Sequence, residues 1–359
     1  MSMPPSIRLE FTQKHPDFPW LDASPSQPLS DVLTRAGVIK QGEQVIRVEK
    51  AGQGNMNLTL RVWLNHDRHS RTVIVKQSRP WVEKYDFIPA PWDRALVEAA
   101  FYQSVRHHPE IQSQMPRFLG VDEPSRSLVL EDLGEGRDLS SAYQTHHVGE
   151  NDIATVARYL RALHDTDYAD TSMLLTNQAM RELNHAYIFD LPLRSIDLPA
   201  LDKFEVGLGA AAKRLAGDVV YCKALKQTGD RYLASRFADA GACLLHGDCF
   251  PGSWLSTPRG LFVIDPEFCF FGDPEFDVGV VIAHLALARC DIAHARSLVA
   301  NYARPLDPNR LSAYAAIEVM RRLIGVAQLP LPSDKPFRVE LLQRSHAAML
   351  NHKWELLWN

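Results

Sequence analysis

Three carboxylates fall in two short triplets, His246-Gly247-Asp248 and Asp265-Pro266-Glu267, and Asp248 and Asp265 are 17 residues apart. Each triplet follows an apolar run, Cys243-Leu244-Leu245 before the first and Leu261-Phe262-Val263-Ile264 before the second. Gly and Pro turns lie between them. That spacing predicts a loop, a short hairpin and a second loop, with both aspartates at strand ends. Acids gathered in this way can divide the work. One orients a hydroxyl and accepts its proton. The other two offer hard oxygens to a divalent cation such as Mg²⁺. On an extended segment Asp265 and Glu267 project to one side, and Pro266 stiffens the link. Gly-Asp alone is an ordinary turn. Two such triplets, each after an apolar strand and followed by Pro274-Glu275-Phe276-Asp277-Val278-Gly279, point to chemistry. His246 reads as a loop-holding residue and Asp277 as a buried anchor for the loop.

The elements that must position these acids differ between the two parts of the chain. Strands are predicted at 45–50, 57–64, 72–77, 118–121 and 127–130, with one helix over 92–106. A short helix is expected through residue 35, capped by Ser30 or Asp31, and residues 1–28 read as irregular. From 151 the pattern turns helical. Ile153, Val156, Ala157, Leu160, Leu163 and His164 form one stripe. Further helices are expected at 177–188, 199–215, 221–239, 277–302, 310–327 and 336–354. Strands with one helix, then helices around a small β insertion, make an α+β, two-lobed pattern. The boundary is placed at 131/132, giving an N-terminal nucleotide-binding lobe over 1–131 and a C-terminal catalytic and substrate-binding lobe over 132–359.

Within the first part, Gly52, Gly54 and Asn55 sit between two strands. Such a turn lets backbone N–H groups approach phosphates, and it also serves as a plain hairpin turn. Lys76 shares a strand face with Ile74, so it either points inward toward an anion or snorkels to the surface. Glu98, mid-helix, is either its partner or a solvated glutamate. Arg321 and Arg322 are either a solvated helix face or ligand-binding groups. Adjacent helical residues point about 100° apart, so both reaching one ligand needs special geometry.

Composition sets bounds. The chain has 359 residues, 46% hydrophobic and 23% charged, with a net charge of −4. That is an ordinary globular balance, without the basic excess of a nucleic-acid or membrane-surface binder. The five cysteines show no CxxC pair, and neither a signal peptide nor a bilayer-spanning run is visible. A reduced, cytoplasmic chain is expected, with a homodimer left open.

The motifs carry a family resemblance. The HGD…IDPEF pair resembles the aminoglycoside phosphotransferase/choline kinase branch of the protein-kinase-like fold. Within that branch it is most similar to methylthioribose kinases. GQGNMNLTLRV resembles their glycine-rich loop, VIVKQ their lysine strand and DRALVEA their helix-glutamate segment. HGDxxxGS, with Ser253 where the wider fold has Asn, DPEF, and Arg321-Arg322-Leu323-Ile324-Gly325 resemble further marks of that family. The resemblance implies ATP and Mg²⁺ as cofactors. The backbone around Gly52, Gly54 and Asn55 covers phosphates. Lys76 contacts the α and β phosphates and is oriented by Glu98, and the segment from Glu131 to Leu133 binds adenine. Asp248 is the catalytic carboxylate. Asp265 and Glu267 bind the metal, with Ser253 nearby. Arg321 and Arg322 bind the sugar and the transferring phosphoryl. The implied reaction phosphorylates the 1-hydroxyl of 5-methylthioribose, a step of methionine salvage. Another small hydroxyl compound, or binding of nucleotide without turnover, are the alternatives. The Cys249-Phe250-Pro251 loop and Trp254 are bulkier than the family pattern, which touches the sugar side and not the metal carboxylates.

Overall fold

Alternation in the first strands decides two faces. The computed structural model describes residues 7–52, 56–66, 69–168, 173–332 and 336–359. The chain divides into two units, Met1–Glu135 with Asp170–Met180, and Gly136–Ala169 with Arg181–Asn359.

Unit 1 holds an antiparallel sheet of β1 (Gln44–Lys50), β2 (Leu58–His66), β3 (His69–Gln77), β4 (Phe118–Asp122) and β5 (Ser127–Glu131), in the order β1-β2-β3-β5-β4. Leu58, Leu60, Val62 and Leu64 alternate inward on β2, and Val73 and Val75 do so on β3. They pack with Leu29, Val32 and Leu33 of α1 (Gln27–Arg35), residues at i, i+3 and i+4. Each such side chain contributes about 1.5–3 kcal/mol by leaving water. Period two then sends Lys76 to the opposite face from Val73 and Val75, where α2 (Arg94–Ser104) supplies Glu98.

Two expectations in unit 1 need correction. α1 starts at Gln27, with Ser26 at the N-cap position and Pro28 in its first turn, rather than at Ser30 or Asp31. The N-terminal stretch is not all irregular, since Ile7–Lys14 is helical. Phe11 there lies with its ring centroid 4.9 Å from Trp92 and 5.3 Å from Phe18. Aromatic packing overrides a composition rich in Pro and Ser.

Unit 2 contains α3 (Glu150–Asp165), α4 (Val219–Ala234), α5 (Pro274–Leu287), α6 (Ile292–Tyr302), α7 (Pro308–Ile324) and α8 (Arg338–Leu350). Among them lie short strands: β6 (Arg137–Asp138), β7 (Cys243–Leu245), β8 (Trp254–Thr257), β9 (Gly260–Val263) and β10 (Phe270–Gly272). β8 and β9 are the expected hairpin, and β7 pairs antiparallel with β10. Every residue of α5 is buried, as suits a central helix apolar all round. Glu275, Asp277 and His284 are exceptions in chemistry, the last two seven residues apart on one face. The helix expected over 277–302 is two. α5 ends before Arg289, which has a left-handed φ of 57°, and Asp291 caps α6 through the Ala293 N–H. The helix expected over 199–215 likewise breaks into Leu198–Asp202 and Leu208–Ala216 around Gly207.

Candidate active site

The loop carrying Asp248 is built before it is functional. The Asp277 carboxylate, near the start of α5, accepts the N–H of His246 at 2.7 Å and that of Gly247 at 3.0 Å. His164 of α3 approaches the same carboxylate through Nε2 at 3.1 Å. Burial works to raise the Asp277 pKa, but the hydrogen bond and charge of His164 outweigh it and hold the carboxyl below its ordinary range. His246 is fully buried. Its Nε2 faces the Ile264 carbonyl at 3.0 Å and its Nδ1 faces the Asp248 N–H at 3.3 Å. The first contact requires a donor and the second an acceptor, so the ring is the neutral Nε2–H tautomer. Burial pushes its pKa down, in keeping with that state. His246 thus ties the end of β9 to the Asp248 loop, as a structural residue.

Gly247 has a φ of 84°, and a Cβ there would lie 2.1 Å from the Phe268 carbonyl oxygen. Only glycine permits that approach. Ser253 closes the loop on its other side. Its oxygen accepts the Phe250 N–H at 3.0 Å and faces the carbonyls of Phe250 at 2.8 Å and Asp248 at 3.1 Å. Read from the sequence as a metal-side residue, Ser253 here fastens the turn, with its one proton and an acceptor site committed to backbone. Trp254, large for its place, is fully buried and donates its indole N–H to Cys249 Sγ at 3.3 Å. Burial drives the Cys249 thiol pKa well up, so it packs rather than reacts.

The Asp265-Pro266-Glu267 segment is not extended, which corrects the same-side argument. Asp265 has φ 65° and ψ 53°, a left-handed conformation, and opens a single 3₁₀ turn over Pro266–Phe268. For a non-glycine residue this costs about 1–3 kcal/mol and persists where surroundings enforce it, often at functional sites. Glu267 is buried. The two carboxylates are hard oxygen donors of the kind Mg²⁺ takes. Among the described residues no group of three or more His, Cys, Asp or Glu could hold a metal.

The arginine pair resolves plainly. On α7, Glu318 lies at i−3 from Arg321 and i−4 from Arg322, so one carboxylate faces both. Arg322 Nε donates to Glu318 Oε1 at 2.8 Å, and Arg321 Nε donates to Oε2. Their outer nitrogens both reach Asp248 Oδ1, Arg321 Nη2 at 3.4 Å and Arg322 Nη2 at 3.3 Å. The pair is therefore not a solvated helix face. The Arg322 guanidinium also lies 4.9 Å from the Phe250 ring centroid. Behind Glu318, His284 Nε2 sits 2.9 Å from Oε1, and its Nδ1 is 2.6 Å from the Tyr143 hydroxyl. Burial raises the Glu318 pKa, but the charges of Arg321 and Arg322 overcome it and hold the carboxyl well below its ordinary value. Sequence reasoning missed Glu318, His284 and Tyr143. A glutamate three and four residues before two arginines was a readable signal for the first.

In unit 1, Lys76 Nζ meets Glu98 at 2.7 and 2.9 Å, with both side chains buried, so neither is a surface group. Glu131 gives its N–H to the Arg117 carbonyl at 2.8 Å and pairs its carboxylate with Arg117 Nε at 3.3 Å. Leu133 lies two residues beyond the end of β5, and Gly52 has a left-handed φ of 72°. Gly54 and Asn55 lie outside the described residues.

The sequence profile of the phosphotransferase enzyme family matches residues 49–314. The chain is 26% identical over 264 residues to a methylthioribose kinase of Exiguobacterium sibiricum, covering 69% of this chain and 62% of that one. It is 28% identical over 268 residues to a methylthioribose kinase of Pectobacterium atrosepticum, covering 71% and 64%. The match thus spans less than two thirds of the length of these relatives. Of solved structures, spectinomycin phosphotransferase in complex with ADP and spectinomycin aligns over 88% of this chain and 93% of its own at a TM-score of 0.50 and 12% identity, a likeness of fold. The fold is the expected α+β, protein-kinase-like one, with a β-rich N-terminal unit and a mostly helical C-terminal unit. Among the described residues no helix is long and apolar enough to cross a membrane.

Proposed function

The chain belongs to the phosphotransferase enzyme family, and we propose that it is an ATP-dependent kinase that phosphorylates the 1-hydroxyl of 5-methylthioribose, a step of methionine salvage. The observation that carries this reading is the convergence of Arg321 and Arg322 on the Asp248 carboxylate. An aminoglycoside or amino-alcohol site would favour acidic surroundings for a cationic acceptor. Two guanidiniums beside the reacting carboxylate suit a neutral sugar and an anionic phosphoryl instead. The relatives' names support the same substrate.

Phosphoryl transfer asks a protein mainly for positioning and charge neutralisation. In this reading Asp248 orients the sugar hydroxyl and takes its proton late. Arg321 and Arg322 hold sugar oxygens and the transferring phosphoryl. Lys76, fixed by Glu98, contacts the α and β phosphates, and the backbone around Gly52, Gly54 and Asn55 covers them. Backbone groups of the segment from Glu131 to Leu133 meet adenine. Asp265 and Glu267 would hold Mg²⁺, with Ser253 supporting the loop beside them; the ion supplies neutralisation of phosphate charge.

The test is ADP production by the purified chain with ATP and Mg²⁺ against pentoses, methylthioribose, aminoglycosides and choline, with the product located by ³¹P NMR. The expected result is a 1-phosphate formed fastest from methylthioribose. Preferential turnover of an aminoglycoside or amino alcohol would sink the substrate assignment, and ATP binding without turnover of any acceptor would sink the kinase reading.

A further inference from the structure

We propose that Glu318 is a positioning residue that presents the arginine pair to the acceptor side of the site, and that Tyr143 sets it through the tautomer of His284. The proposal rests on the reading of Asp248 as the hydroxyl-orienting acid. All six residues lie in unit 2.

The geometry separates two edges of each guanidinium. The inner edges are fastened to Glu318, with Arg322 Nε at 2.8 Å and Arg321 Nε on the other oxygen. The outer edges reach Asp248 at 3.3 and 3.4 Å, longer contacts than a charge-assisted hydrogen bond prefers. Glu318 therefore owns the pair, and Asp248 is its exchangeable partner. Two arginines and two carboxylates sum to zero formal charge. An arriving acceptor and phosphoryl can take over the outer nitrogens while the inner edges stay fixed. Without Glu318 the two cations would have Asp248 as their nearest carboxylate and would close on it.

The arm behind Glu318 is fixed by proton logic. An ionised Glu318 can only accept, so His284 Nε2 carries the proton at 2.9 Å. The ring is completely buried beside two arginines and is neutral, which leaves Nδ1 an acceptor for the Tyr143 hydroxyl at 2.6 Å. Tyr143, by donating to Nδ1, thus reinforces the tautomer that donates to Glu318. Phe250 lies between the layers, 4.9 Å from the Arg322 guanidinium and 4.9 Å from the His284 ring.

The experiment compares wild type, Glu318→Gln and Tyr143→Phe as full chains. One measurement is kcat and KM for the best acceptor with a nucleotide Kd. The other is the ¹H–¹⁵N spectrum of the arginine Nε–H groups, with Arg321 and Arg322 assigned by single Arg→Lys variants. For Glu318→Gln we expect kcat/KM for the acceptor to fall about 10²-fold, with nucleotide Kd within about twofold and the acid limb of the kcat profile displaced to lower pH. The two slowly exchanging Nε–H signals of wild type should shift or vanish. Tyr143→Phe should raise the acceptor KM several-fold and move the same two signals. Should Glu318→Gln not fold, Tyr143→Phe carries the test with the same readouts. Unchanged acceptor kinetics and unchanged Nε–H signals in a folded variant would overturn the proposal. If wild type phosphorylates no acceptor, the kinase reading falls while the Nε–H signals still decide whether Glu318 positions the arginines.

Discussion

In unit 1 a lysine pairs with a glutamate, Lys76 to Glu98 at 2.7 and 2.9 Å, whereas in unit 2 two arginines are shared between Glu318 and Asp248. The cation types differ for a physical reason. An ammonium is a compact point charge whose three donors share one centre. A guanidinium has separate edges, so one edge can be fixed while the other faces a reacting group. The first assembly suits a charge that holds still. The second suits charges that are held and yet available.

Predictions can break or sharpen that contrast. The largest effect is expected for Lys76→Met, which takes the buried ammonium away from the Glu98 carboxylate and should destabilise unit 1 by about 3–5 kcal/mol in denaturant unfolding. A variant that keeps full stability would show that Glu98 does not depend on the lysine.

Next comes acid titration in unit 2. Burial lowers the His284 pKa from 6.5 to about 4. An unfolded chain binds that proton below about pH 6.5, while the folded chain resists it until about pH 4. Unfolding therefore takes up a proton in this window, and stability falls with falling pH by up to about 3 kcal/mol. His284→Gln should show a flatter profile between those pH values, and an unchanged slope would remove His284 from the account.

Asp248→Asn should cut kcat by about 10²-fold or more at nearly constant nucleotide affinity. Arg321→Ala and Arg322→Ala should each lower kcat/KM for methylthioribose by about 10²-fold, or about 2.7 kcal/mol. Near-normal sugar kinetics in both arginine variants would make the pair structural, like Lys76 and Glu98 without a ligand. The smallest effects are expected from Asp265→Ala and Glu267→Ala, read as a rise in the half-saturating Mg²⁺ concentration. A rise in the first alone would make Glu267 a structural residue.

Local pattern reached far into this molecule and then stopped. The β2 and β3 alternation placed Lys76 on the face that meets Glu98, and the Gly and Pro spacing marked the hairpin of β8 and β9 between the two acids. The Asp-Pro-Glu turn was misread as extended because no sequence rule signals a left-handed aspartate. The Ile7–Lys14 helix was missed because the Pro and Ser around it masked a short run of helix formers, which Phe11 anchors against Trp92. Glu318 and His284 were missed although helical spacing carried a signal for each, three and four residues before the arginines and seven residues after Asp277. Tyr143 had no such signal, because its partner is 141 residues away and a lone tyrosine carries no spacing.

The contact of Gly247 with the Phe268 carbonyl reaches beyond its own turn. It makes the two acid-bearing segments a gauge block, with no room to slide past one another. An acceptor whose hydroxyl sits slightly off that setting will not be met by a yielding loop. On the proposed kinase reading, selectivity at such a site would come from refusal to adapt. A change of acceptor during evolution would then begin with the side chains around the gauge, Phe250 among them, and leave the gauge itself untouched.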